Sequence, residues 1–140
     1  GSTVASVNVT VANGTGSCVD GTFASADVPK AIPDNNSTGV TSVLPITGNG
    51  VVSTLQLSLN ITHTYRSDLR VTLIGPDGTQ YVAHNRTGGS ADNLSIVDRG
   101  VTNFNNRTAA GTWSLKVQDL AGADVGSLTS WSLRIVGRCN

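Results

Sequence analysis

Two stretches near the C-terminal end of the chain share one pattern. Residues 113–119 (WSLKVQD) and 131–135 (WSLRI) alternate strictly, with Trp, Leu and Val or Ile at one parity and mostly polar residues at the other. Because successive side chains of a β-strand point to opposite faces, each stretch is predicted to be a strand with one buried face. We expect the two strands to form a hairpin, with Gly111 and Gly126 at points where backbone freedom is needed.

The same alternation recurs earlier in the chain. Residues 55–63 (LQLSLNITH) place five alternate side chains on one face, and residues 69–74 are expected to return as the partner of this strand. Residues 75–78 (GPDG) predict a turn, because Pro presets φ at the second position and Gly tolerates positive φ at the fourth. A further strand follows over residues 79–83, and the alternating valines of residues 7–11 predict a first strand.

The remaining segments are less regular. Residues 31–46 are interpreted as a loop that leads into an edge strand, whereas residues 84–110 form a long irregular region that carries function or hosts short strands. Apolar residues do not recur at helical spacing over three turns anywhere in the sequence. The sequence therefore predicts an all-β chain, a jelly-roll-like antiparallel β-sandwich of roughly eight to ten strands.

The composition limits the function classes. Charged residues make up 13% of the chain, nine basic residues balance nine acidic ones, and no basic stripe is present, so nucleic-acid binding has no support. No apolar run reaches the length of a membrane span. The 140 residues are enough for one domain with its own core, and the initial Gly1–Ser2 resembles the remnant of a removed tag, which indicates a piece of a longer protein.

The chain contains two cysteines, Cys18 and Cys139. Their positions suggest a disulfide that clamps the N-terminal segment to the end of the last strand, a bridge worth about 4–5 kcal/mol in the chain-entropy model. Such a bridge is typical of an oxidising compartment. The alternative is a pair of free thiols.

Several of these motifs together resemble one family. Five stretches are similar to the P domain, which follows the catalytic domain of subtilisin-like proprotein convertases and of many secreted bacterial proteases. They are GTWSLKVQD and GSLTSWSLRIVG in the last two strands, ITHTYRSDLRVTLIGPDGT at residues 61–79, IPDN at residues 32–35 and GGSADN at residues 88–93. Residues 1–26 fall outside the pattern and are interpreted as an N-terminal extension or extra strand of the single domain, 1–140.

The resemblance implies a function without catalysis. A P domain packs on or beside the catalytic protease domain of the same parent chain, stabilises it or assists its maturation, and contributes to binding of the protein substrate. The parent would be a secreted, extracellular bacterial protease. No nucleophile elbow or HExxH signature is present, and His63 shares parity with Leu57 and Ile61, so it is predicted to be a buried, hydrogen-bonded histidine rather than a catalytic one.

Calcium is the cofactor that the loop carboxylates suggest. Asp92 and Asp98 lie close together in the irregular region, and Asp68 and Asp119 are expected to converge at one end of the sandwich, with Asp34 as a further neighbour. Carboxylates beside exposed backbone carbonyls supply the oxygen ligands that calcium prefers. The alternative is that these aspartates cap turns through their own side chains.

A carbohydrate- or surface-binding module is the rival function. It requires an exposed aromatic platform, but Trp113 and Trp131 share parity with the apolar residues of their strands and are predicted to pack in the core. Tyr65 and Tyr81 are the aromatic residues left to form such a platform.

Overall fold

The computed structural model describes residues 18–139 as two packed antiparallel sheets. The strand predicted over residues 7–11 lies outside the described residues. Within them no helix is long and apolar enough to cross a membrane. Nine strands are present in the described part: β1 (Asp20–Ala24), β2 (Lys30–Ile32), β3 (Asn36–Ile46), β4 (Val51–His63), β5 (Leu69–Ile74), β6 (Gln80–Asn85), β7 (Leu94–Gly100), β8 (Gly111–Asp119) and β9 (Gly126–Arg138).

The two sheets differ in size and share one core. The five-stranded sheet has the order β1-β9-β4-β7, with β2 also paired to β9, and the four-stranded sheet has the order β3-β8-β5-β6. The inward residues of both sheets are fully or almost fully buried, among them Leu57, Leu73, Leu115 and Leu133. The predicted all-β sandwich is confirmed, and β3 is an edge strand as expected.

The hairpin predicted for the two Trp-containing strands is wrong. β8 pairs with β3 and β5, whereas β9 pairs with β1, β2 and β4, so the two strands lie in opposite sheets. Residues 120–125 therefore cross from one sheet to the other. The alternation predicts that one face of each strand is buried. The inward faces of both sheets are apolar, so the alternation does not indicate in which sheet a strand lies or which strand is its neighbour.

The pairing predicted between residues 55–63 and 69–74 fails for the same reason. β4 pairs with β7 and β9, and β5 pairs with β6 and β8. A short 3-10 turn, Arg66–Asp68, carries the chain between the sheets. The turn predicted at residues 75–78 forms and joins β5 to β6 as a hairpin, with φ of +89° at Gly78 and a Gly78 N–H that donates to the Gly75 carbonyl at 3.0 Å.

Both tryptophans pack in the core, as predicted. Trp113 and Trp131 are 0% and 2% exposed. Each indole N–H is satisfied internally, because Trp113 Nε1 donates to the Ala109 carbonyl at 2.9 Å and Trp131 Nε1 donates to Ser42 Oγ at 2.7 Å. Neither ring is available to stack on a sugar. Tyr81 also packs partly against the core, and Tyr65 is 37% exposed.

The two glycines singled out in the sequence serve different purposes. Gly111 has φ of +130°, a backbone conformation that other residues rarely adopt. Gly126 lies against β4, where a Cβ would come within 1.9 Å of the Thr62 carbonyl oxygen, so close backbone approach rather than conformational freedom requires glycine there.

A disulfide joins Cys18 to Cys139, across 121 residues of sequence. The bridge ties the start of the described chain to the residue after β9, as the cysteine positions suggested. The alternative of two free thiols is therefore wrong.

Candidate functional site

Three buried side chains meet at one end of the sandwich. β4 ends at His63, the 3-10 turn that follows contains Asp68, and β8 ends at Asp119, which pairs with Leu69 at the start of β5. Their ring-nitrogen and carboxylate-oxygen atoms lie within 4.8 Å of one another, and the three residues are 2%, 5% and 0% exposed. The structure therefore brings together the expected pair, Asp68 and Asp119, and adds His63 to it.

The hydrogen bonds of His63 determine which ring nitrogen carries the proton. The Tyr65 backbone N–H donates to His63 Nδ1 at 3.1 Å, so this nitrogen is an acceptor. The proton therefore sits on Nε2, which donates to Asp119 Oδ2 at 2.9 Å. The Ala121 N–H donates to the other oxygen of Asp119 at 3.2 Å. Asp119 is thus a buried carboxylate with both oxygens hydrogen-bonded.

Asp68 is in the opposite condition. Its Oδ2 atom is buried and has no hydrogen-bond partner in the described structure. Burial raises the pKa of Asp68 and the negative charges of Asp119 and Asp124 raise it further, whereas the positive charge of Arg86 opposes the shift. A buried carboxylate oxygen without a partner is costly, so this position attracts either a proton or a cation.

A third carboxylate comes from the connection between β8 and β9. Thr64 Oγ1 donates to Asp124 Oδ1 at 2.8 Å, which holds this loop over the end of β4. The Ala123 N–H donates to Asp34 Oδ2 at 3.3 Å, so Asp34 contacts the same loop from the β2–β3 turn. Asp124 is not among the ligands expected from the sequence, because its approach to Asp68 depends on the crossing between sheets, for which the sequence carries no signal.

The other two predicted calcium ligands do not join this group. Asp98 and Asp92 are exposed, and in the part of the chain that the structure describes neither belongs to a cluster of three or more metal-ligating side chains. The Asp98 N–H donates to Ser58 Oγ at 2.9 Å, in a segment of β7 where the register shifts.

Asn93, next to Asp92, has a defined structural contact. Asn93 forms two hydrogen bonds with the backbone of His63. The His63 N–H donates to Asn93 Oδ1 at 3.0 Å, and the Asn93 N–H donates to the His63 carbonyl at 2.7 Å. The loop over residues 88–93 therefore anchors the histidine of the buried cluster.

The donor set of the cluster fits a hard cation better than a transition metal. A metal-bound histidine normally donates its second ring N–H to an acceptor, whereas the second nitrogen of His63 is itself an acceptor for a backbone N–H. The N–H of His63 Nε2 therefore donates its hydrogen bond to Asp119 and is not replaced by a metal ion. The atoms left to hold an ion are carboxylate oxygens, which calcium prefers as ligands.

Comparisons with known proteins converge on one family. The family profile described as the proprotein convertase P-domain matches residues 52–135. Leupeptin-inactivating enzyme 1 of Streptomyces exfoliatus is 46% identical over 106 residues, which is 73% of this chain and 23% of the relative. Transglutaminase-activating metalloprotease of Streptomyces mobaraensis is 40% identical over 106 residues, 74% of this chain and 13% of the relative.

Two further similarities concern a calcium-dependent enzyme and a solved structure. A protein named calcium-dependent protease, from Trichormus variabilis, is 30% identical over 100 residues, 66% of this chain and 15% of its own length. The crystal structure of the serine protease of Aeromonas sobria in complex with its chaperone has a TM-score of 0.60 at 23% identity and covers 79% of this chain and 25% of that one. This likeness supports the β-sandwich fold. The chain spans less than a quarter of each of the three sequence relatives.

Proposed function

This chain belongs to the proprotein convertase P-domain family, and we propose that it is a non-catalytic accessory domain of a secreted bacterial protease. The observation that carries the proposal is the family match across strands β4 to β9, together with relatives named metalloprotease and calcium-dependent protease that are several times longer than the matched region. The disulfide fits export to an oxidising compartment, and one relative is named extracellular basic protease.

The histidines of the described structure support an accessory role. Both ring nitrogens of His63 are engaged in hydrogen bonds, and His84 Nε2 donates to the Arg66 carbonyl at 2.9 Å, so none of these three nitrogens is free to accept a proton from a serine or cysteine nucleophile. A rigid sandwich can instead offer a neighbouring domain a surface to pack on. We propose that packing of this kind stabilises the catalytic domain, assists its maturation and contributes to substrate binding.

The test is removal of the domain from its parent protein. The complete gene product is expressed with and without residues 18–139, and the yield of mature enzyme, its peptidase activity and its melting temperature are compared. We expect the truncated protein to mature poorly or to melt at a lower temperature. Equal yield, activity and melting temperature would contradict the accessory role, as would peptide hydrolysis by the purified 140-residue chain.

We also propose that the carboxylates at the end of the sandwich bind calcium. Asp68 would supply the unpaired oxygen, and Asp119 and Asp124 would add the charge that makes the position attractive to a divalent cation. His63 would hold Asp119 in place through its Nε2–H. The relatives named calcium-dependent protease lend support, although that name describes the whole enzymes.

Calcium binding is tested by thermal unfolding of the 140-residue chain with calcium and with EGTA. A hundredfold excess over the dissociation constant stabilises a protein by about 2.7 kcal/mol, so a clear rise in melting temperature is expected. In Asp68→Asn the rise should disappear, and the variant should be more stable than the wild type in EGTA, because the unpaired buried charge is gone.

The matched control is Asp98→Asn, which neutralises an exposed aspartate outside the cluster. This variant should respond to calcium as the wild type does. If calcium leaves the wild-type midpoint unchanged, or raises the midpoints of wild type and Asp68→Asn equally, the buried cluster is not a calcium site.

A further inference from the structure

The outer face of the four-stranded sheet carries cations and exposed apolar side chains but no carboxylate. In the described strands β3, β8, β5 and β6 the one acidic residue is Asp119, which points inward and is fully buried. We call this outward surface the Lys116 face, defined by Val43, Arg70, Ile74, Gln80, Val82 and Lys116. Five of these residues, all except Val43, line a groove of about 350 Å³.

The two cations of the Lys116 face are neighbours on adjacent strands. Thr72 pairs with Lys116 and Arg70 pairs with Gln118, so Arg70 and Lys116 lie diagonally across β5 and β8 on the same face. Arg70 Nε donates to the neutral Asn85 Oδ1 at 3.3 Å, and neither cation forms an ion pair with the described residues. Like charges this close on neighbouring strands repel, and an anion placed between them would relieve the repulsion.

Exposed aliphatic side chains flank the two cations. Val43 on the edge strand β3 is 42% exposed, and Val82 on the opposite edge strand β6 is 48% exposed. Ile74 lies between them on β5. Two cations flanked by aliphatic side chains are complementary to a partner surface that presents a carboxylate among aliphatic side chains.

The outer face of the five-stranded sheet is different, because its polar groups satisfy one another. Asn60 bonds to Ser130 at 3.2 Å and to Ser95 at 3.0 Å, and Arg134 is paired with Asp20 at 2.8 Å. A groove of about 500 Å³ lies on this face, and the one cationic residue that lines it, Arg134, forms an ion pair with Asp20. Arg138 at the end of β9 also forms no ion pair with the described residues, but Arg70 and Lys116 are two such cations side by side on adjacent strands.

We propose that the Lys116 face docks on the catalytic domain of the same polypeptide, with a surface carboxylate of that domain seated between Arg70 and Lys116. The inference rests on the proposed accessory function. Four strands about 4.8 Å apart and about 18 Å long offer roughly 350 Å² per partner, near the lower end of inter-domain contacts. Covalent linkage makes such a small contact sufficient, because a tethered partner is present at millimolar effective concentration.

The first experiment is zero-length carbodiimide cross-linking of the full-length protein followed by peptide mass spectrometry. An ammonium seated against a partner carboxylate forms an amide with it, so a cross-link from Lys116 to an Asp or Glu of the catalytic domain is expected. Lys30, which lies 3.8 Å from Asp27 of its own domain, is the internal control and should link within the domain.

The second experiment compares Lys116→Glu with Arg138→Glu in the full-length protein. Both substitutions reverse one cation, but Arg138 is exposed on β9 and hydrogen-bonds to the neutral Asn106. Lys116→Glu should lower the melting temperature of the full-length protein by roughly 3–8 °C, and Arg138→Glu should not. In the 140-residue chain alone Lys116→Glu should leave the melting temperature unchanged or higher, which shows that the domain still folds.

The outcomes separate the two proposals. If domain deletion impairs the protease but Lys116 forms no cross-link to the catalytic domain and Lys116→Glu melts like Arg138→Glu, the docking face is wrong while the accessory function stands. If the complete gene product contains no protease domain, both proposals fail.

Discussion

Asp27 is expected to stabilise the fold through a hydrogen-bond network that joins the two sheets. Its Oδ1 accepts hydrogen bonds from Ser25 Oγ at 2.6 Å and from the Ser42 hydroxyl, and its Oδ2 accepts the Val43 N–H at 3.1 Å. Ser42 in turn accepts the indole N–H of Trp131 from the opposite sheet. Asp27→Asn removes the charge that these donors converge on.

The magnitude follows from the pKa of Asp27. Burial opposes ionisation, but the hydrogen bonds from Ser25, Ser42 and Val43 and the charge of Lys30 outweigh it and lower the pKa from 3.8 to about 2. A pKa shift of one unit corresponds to about 1.4 kcal/mol, so the ionised Asp27 carboxylate stabilises the folded state by at most about 2.5 kcal/mol. The side chain keeps 32% of its exposure. Because solvent screens the charge, we expect Asp27→Asn to lower the free energy of unfolding by about 1–2 kcal/mol.

The sign of the pH dependence is specific. A carboxyl group whose pKa is lower in the folded state contributes its full stabilisation above pH 3.8 and loses it as the pH falls towards 2. Asp27→Asn should therefore be less stable than the wild type by about 1–2 kcal/mol at pH 7, and the difference should shrink between pH 4 and pH 2.

Urea unfolding followed by tryptophan fluorescence at pH 7, 5, 4, 3 and 2.5 measures this difference. Asp20→Asn is the matched control, because Asp20 forms an exposed surface pair with Arg134 and its removal should cost little. A difference between wild type and Asp27→Asn that stays constant down to pH 2.5 would refute the assignment of the stabilisation to the ionised carboxylate.

Two further predictions concern His84 and the disulfide. Burial lowers the pKa of His84, and the charges of Arg66 and Arg99 lower it further, so the unfolded chain takes up a proton before the folded one does. The free energy of unfolding should fall as the pH drops below about 6.5, and His84→Gln should reduce that fall in urea titrations at pH 7.5 and 5; equal slopes for both proteins would contradict this. Replacing Cys18 and Cys139 by Ser should lower the free energy of unfolding by about 3–5 kcal/mol, measured by urea unfolding against the oxidised wild type, and a loss below about 1 kcal/mol would show that the bridge adds little.

Much of the local structure could be predicted from the sequence. Period-two alternation located most strands and the inward faces of β4, β8 and β9, including the buried positions of Trp113, Trp131 and His63. The β5–β6 turn followed from Pro76 and Gly78. Strand neighbours did not follow, because the alternation of β8 and β9 is satisfied equally by a hairpin and by two strands facing each other across the core.

The candidate site was predictable only in part. Asp68 and Asp119 could be paired because each lies at the end of a core strand, which places both at an edge of the sandwich. Asp124 could not be added to them, since its position depends on a connection that crosses between sheets. The unpaired oxygen of Asp68 and the proton on His63 Nε2 also depend on atomic contacts that spacing does not encode.

The class of fold, the buried faces and the family can be recognised from the residues alone, because they depend on side-chain periodicity and on residues adjacent in the chain. The tertiary structure decided which strands are neighbours, which carboxylates converge and which outer face lacks an anion. These properties depend on contacts between residues far apart in sequence. The free energies of those contacts are set by the apolar surface they bury and by the distances between charges in the folded chain. The two Trp-containing strands show the difference: their pattern predicted the core, and the fold placed them on opposite sides of it.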